Sequence, residues 1–95
     1  MEIENEQSAI FLQLIIQHQQ LAMMGMGMIP NPMDNTIIHD LEYAKIAIDT
    51  IDVLKEKTQG NLLDYETQFI DQVLIQLKEK YNEAETTPPS NIIIP

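Results

Sequence analysis

The chain has 95 residues, no cysteine, no tryptophan and no arginine, and its 15 acids against 5 lysines leave a net charge of −10. One domain of that size has a core only marginally adequate by itself, so self-association is a natural supplement and a multidomain enzyme is excluded. The acidic balance without arginine argues against a nucleic-acid partner, and the absence of cysteine removes thiol chemistry and fits a reducing cytoplasm.

The acidic start, Met1 to Glu6, is the reverse of a basic export signal, so a cytoplasmic location is expected. From Gln7 to Met33 no Asp, Glu, Lys or Arg occurs. Residues from about Asn5 to Met24 read as a first helix, on which Gln13, Gln17 and Gln20 form one narrow polar stripe while Ile10, Leu14, Leu21, Phe11, Ile15, Ala22, Leu12, Ile16 and Met23 cover the rest of the girth. A helix apolar nearly all round is expected to be sandwiched, inside the domain or between subunits. Phe11, Leu14, Ile15, His18, Leu21, Met24 and Met28 are the candidate interface residues, with the glutamine stripe able to face a twofold partner. A membrane span is not expected, because Gln17 to Gln20 fall mid-segment and no cation flanks it. A peripheral membrane contact, or binding of an apolar ligand at the Met-rich end, is the alternative function.

Met24-Gly25-Met26-Gly27-Met28 is expected to weaken the helix and Ile29-Pro30-Asn31-Pro32 to end it, since residues before proline leave the helical region. Asp40 is a plausible N-cap for a second helix over about Leu41 to Thr58, with Glu42 in its first turn and Lys55 and Lys57 in its last. Its charges, including Asp49, Asp52 and Glu56, gather on one arc, Leu41, Ala44, Ala47, Ile48, Ile51 and Leu54 fill a broad one, and Ile46 and Val53 flank the far side. Gly60 is expected in the left-handed region as the helix stop, and replacing it with Ala to cost roughly 1 to 2 kcal/mol. A third helix over about Asp64 to Tyr81 forms an antiparallel hairpin with the second. The fold class is therefore all-α: a single helical domain over residues 1–82, then an extended tail over residues 83–95. That tail ends on Ile92-Ile93-Ile94-Pro95, which is either a disordered end or a segment that docks in a groove or on a partner.

Ile29-Pro30-Asn31-Pro32, Ala44-Lys45, Ile48-Asp49, Leu54, and Lys57-Thr58-Gln59-Gly60-Asn61-Leu62 followed by Glu66 resemble the bacterial family of small helical proteins known as domain of unknown function 1844. The resemblance spans roughly Phe11 to Tyr81, and it implies an all-helical cytosolic protein with no assigned activity, substrate or cofactor. The chain departs from the family in two places. Gln17 to Gln20 and the methionine cluster replace small residues and leucines, and Leu63 stands where a capping Thr or Ser is expected, leaving Asn61 or Asp64 to cap the third helix.

No catalytic, cofactor or metal site is expected. The methionines offer thioethers to Cu(I) but have no Cys or adjacent His to complete a site, and read as packing residues, with a partner-contact surface as the alternative. His18 and His39 have no nucleophile to activate in a recognised arrangement. Asp49, Asp52 and Glu56 read as a solvated, partly salt-bridged face. Pro30, Asn31, Pro32, Gly60 and Asn61 read as structural turns. The expected function is a non-enzymatic self-assembling or adaptor module, most simply a dimer, with helix 1 at the interface.

Overall fold

The computed structural model describes residues 6–86; residues 1–5 and 87–95, and with them the Ile92 to Ile94 segment, lie outside the described residues. Three helices follow one another, α1 (Glu6–Gly25), α2 (Leu41–Lys57) and α3 (Asp64–Thr86), and the described residues contain no strand. The domain is all-α, as the periodicity requires.

Cross-links fix the directions. The Asp40 N–H donates to the Gly25 carbonyl at 2.8 Å, so α2 begins where α1 ends. Lys78 pairs with Asp52 (3.0 Å) and Lys55 with Asp71 (2.5 Å), a descending register that makes α2 and α3 antiparallel. Ser8 meets Glu66 and Gln19 meets Gln76, so α3 runs parallel to α1. These surface ion pairs set register more than they set stability.

Ile15, Ala22 and Met26 of the first segment meet Ala44, Ala47, Ile48 and Ile51 of α2 and Ile70, Val73, Leu74 and Leu77 of α3 in one core. Ile15, Ile51, Ile70 and Leu77 are almost wholly buried, each contributing roughly 1.5 to 3 kcal/mol by removal from water. At its closest point the seam between α1 and α2 brings Gly25 onto Ala44. A Cβ on Gly25 would lie 2.8 Å from the Ala44 nitrogen and 2.9 Å from the Asp40 oxygen, so glycine there is what lets the two backbones approach.

The helix ends differ from expectation in three places. Gly25 lies inside α1, and the helix stops before the prolines, in a Schellman motif: the Gly27 N–H reaches the Met24 carbonyl (2.9 Å), the Met28 N–H reaches the Met23 carbonyl (2.9 Å), and Gly27 holds φ at +76°. Gly60 does have positive φ, +89°, but at the third position of a turn closed by Asn61 N–H to Thr58 C=O (2.9 Å), one residue beyond the usual capping site. At the other terminus α3 extends through Glu83-Ala84-Glu85-Thr86, where the sequence suggested an extended tail from residue 83. Glu and Ala are good helix formers, and the Thr86 hydroxyl bonds back to the Asn82 and Glu83 carbonyls. Asp40 caps α2 as expected, its carboxylate accepting from the Tyr43 N–H at 3.0 Å.

Candidate functional site

The outward face of α1 is set by what the inward face buries. Ser8, Leu12, Ile15, Ala22 and Gly25 point into the domain; Ala9, Ile10, Gln13, Gln17 and Gln20 are exposed, with Leu14 half-buried beside them. A continuous uncharged strip results. Its upper half carries Ile10, 70% exposed. Its lower half opens into a groove of about 440 Å³ lined by Gln17, Gln20, Leu21 and Met24 of α1 and by Ile29, Pro30 and Pro32 of the connection.

That connection is held by its own polar groups. The Asn31 side chain accepts from the Met33 N–H (2.9 Å), the Asn31 N–H donates to the Thr36 carbonyl (2.7 Å), and its own carbonyl accepts from the Asn35 N–H (2.6 Å). Asp34 accepts from both the hydroxyl (2.7 Å) and the N–H (3.1 Å) of Thr36, and these bonds, the hydroxyl first, hold its carboxyl below the usual carboxylate range. Asn31 thus serves to close the loop, and Pro30 and Pro32 are left as the surface that lines the groove.

The candidate interface residues divide. Ile15 has no exposed surface and belongs to the chain's own core, so it is corrected from interface to core residue: it lies on the arc that α2 and α3 cover. Phe11 and Leu21 are half-buried and pack against that core. His18 is half-buried with Nδ1 3.0 Å from the Leu14 carbonyl, a contact that places the ring hydrogen on Nδ1. Leu14 and Met24 line the strip and its groove, and Met28 is 44% exposed past the end of the helix. Gly60 and Asn61 sit at the opposite end of the bundle. Ile10, absent from the expected set, is the most exposed large apolar side chain of α1; lying three and seven residues before Gln13 and Gln17, it shares their face, so the glutamine stripe marked the way to it.

A second arrangement was missed entirely. The Tyr65 hydroxyl donates to Ser8 Oγ at 2.7 Å, Ser8 Oγ donates to Glu66 Oε2 at 2.7 Å, and Glu66 Oε1 accepts the Leu63 N–H at 2.7 Å. Ser8 and Glu66 are only 2% and 6% exposed. Leu63 therefore holds the N-cap position of α3, with Glu66 three residues on reaching back to its N–H as in one half of a capping box, and neither Asn61 nor Asp64 plays that part. The Ser8 hydroxyl thus ties α1 to α3.

Asp49 and Asp52 are engaged by Lys45 and Lys78, and the hydrogen bond that the Lys45 ammonium donates to Asp49, together with the charge of that carboxylate, raises the Lys45 pKa above its ordinary value, with weaker attraction from Tyr81 and Glu85. The acidic face is partly salt-bridged, as its pattern suggested. Among the described residues no three His, Asp or Glu side chains converge as for a metal ion, and no helix is long and apolar enough to cross a membrane. The methionines scatter: Met26 in the core, Met24 in the groove, and Met33 90% exposed.

The family model described as Domain of unknown function (DUF1844) matches residues 8–83. The chain belongs to this family. The match runs from Ser8 of the buried tie almost to the end of α3, so the DUF1844 domain takes in the tie, the uncharged strip from Ala9 onward and the Pro-lined groove. No solved structure matches the chain.

Proposed function

We propose that this DUF1844 protein is a non-enzymatic self-assembling module, most simply a symmetric dimer, that pairs through the outward strip of α1 and serves as an adaptor in that form. The observation that carries this reading is the coincidence of exposed apolar surface with absent charge: Ile10 and Leu14 stand between neutral amides in the one long stretch without an ionised side chain. Two copies of net charge −10 repel each other, so the contact that brings them together at least electrostatic cost is the one poorest in acids, and along this strip only Glu6, in the first turn of α1, borders it. Dimers related by a twofold axis are the commonest way to cover such a face. The absence of cysteine supports a cytoplasmic site of action.

Sedimentation read beside circular dichroism tests the reading. Wild-type protein should sediment as a dimer at tens of micromolar, a scale of roughly 6 to 7 kcal/mol of association, and added salt should strengthen the dimer by screening the repulsion. Ile10→Asp should give a folded monomer, because that side chain is largely outside the core. Ile15→Asp should unfold the chain, since it places a carboxylate in the core. A well-folded wild-type monomer at that concentration overturns the proposal, and flotation of that monomer with neutral vesicles would favour a membrane-surface role in its place.

A further inference from the structure

The groove between the last turns of α1 and the Pro30 to Pro32 connection is uncharged and has no occupant among the described residues. The chain itself contains a segment of matching chemistry. Residues 87–95, Thr-Pro-Pro-Ser-Asn-Ile-Ile-Ile-Pro, carry no charged side chain, in a protein where acids are otherwise frequent after α1. We propose that Ile92 to Ile94 of the same chain dock in this groove.

Topology places the two within reach. α3 is parallel to α1, so Thr86 emerges at the end of the bundle where α1 stops and the proline connection lies. The position of Glu85 confirms this, since it is close enough to act on Lys45 in the first turns of α2. From Thr86 to Ile92 and Ile94 the chain counts six and eight residues, about 20 to 28 Å when extended. A helix with its side chains is about 10 to 12 Å across, so that span suffices to cross the bundle end and reach the outer side of α1.

The chemistry of the contact follows from its parts. Pro88 and Pro89 favour an extended polyproline-like approach with few backbone donors to satisfy. Leu21, Met24 and Ile29 offer apolar surface to isoleucine side chains, and methionine adapts its shape to them. Gln17 and Gln20 supply both donors and acceptors to an extended backbone lying across them. Tethering does the rest: a short linker gives an effective concentration of about millimolar, so a contact too weak to hold a free peptide still closes within one chain.

Methyl NMR on the full chain tests this, with the Met ε and Ile δ1 methyls labelled. When both labels are on the same chain, the Met24 methyl should show nuclear Overhauser contacts to Ile92, Ile93 or Ile94. When Met-labelled chains are mixed with Ile-labelled ones, those contacts should be lost. Ile93→Asp should return the Met24 methyl to the shift of an exposed methionine while leaving Ile51 and Ile70 in the core unmoved. Sharp, random-coil isoleucine signals without contacts to Met24 would overturn the proposal. Contacts seen only in the mixed sample would overturn it equally, by assigning the groove to the segment of a second copy.

Discussion

The two ends of this bundle are held by different means. Where α1 hands over to α2, backbone lies on backbone: Gly25 presses against Asp40 and Ala44, the Gly25 carbonyl accepts the Asp40 N–H, and a Schellman motif at Gly27 turns the chain. Where α3 starts beside α1, side chains hold the junction through Tyr65, Ser8 and Glu66, and the nearby Gly60 turn stands in open space. A tight backbone contact tolerates no added atom, whereas a side-chain tie fails only when a polar partner is removed. Glycine is therefore indispensable at one end for steric reasons and useful at the other for conformational ones alone.

Substitutions at the two ends, measured by urea or thermal melts, break or sharpen this contrast. Gly25→Ala should be the most damaging, at roughly 3 kcal/mol, because both nearest atoms to the new Cβ are backbone and a helix must shift to admit it. An unchanged midpoint there would show that the α1–α2 approach is looser than described. Ser8→Ala should cost about 2 kcal/mol by leaving the Tyr65 hydroxyl and Glu66 Oε2 without a partner they now share; Tyr65→Phe, which removes only an outer donor, should cost less.

For Gly27→Ala, about 1.5 kcal/mol is expected from the left-handed backbone alone, with His39 also in the way at 2.6 Å from the new Cβ. His39 is an exposed side chain and can swing aside, so adding His39→Ala should recover only a small part of the loss. Gly60→Ala should be mildest, at about 1 kcal/mol, since a Cβ there meets nothing within 4 Å and only the positive φ resists it. Equal losses at Gly25 and Gly60 would contradict the distinction between the two ends.

Much of this fold was legible in the sequence because its signals are local. Asp40 before an apolar-periodic run, the lysines ending α2 and the short Thr58 to Leu63 connection each act within a few residues. The α1–α2 approach was hidden for the opposite reason. α1 is apolar almost all round, so its pattern did not say which arc meets α2, and neither the demand on Gly25 nor the burial of Ile15 was visible without that arc. The Ser8–Glu66 tie joins residues 58 apart in sequence, and nothing local distinguishes Ser8 from a serine in solvent. The glutamine stripe did indicate the outer face of α1, which is how Ile10 becomes readable as part of the strip once the stripe is taken as exposed.

The central claim, that α1 turns its outward strip to a second copy, is tested most directly by placing single thiols in a chain that has none. Gln13→Cys lies on the strip and Gln72→Cys on the exposed side of α3, and each can be treated with a short bismaleimide cross-linker at the same protein concentration. Gln13→Cys should give a covalent dimer and Gln72→Cys should remain uncross-linked, with Ile10→Asp abolishing the Gln13→Cys product. Equal cross-linking at the two positions, or none at Gln13→Cys, would contradict the account.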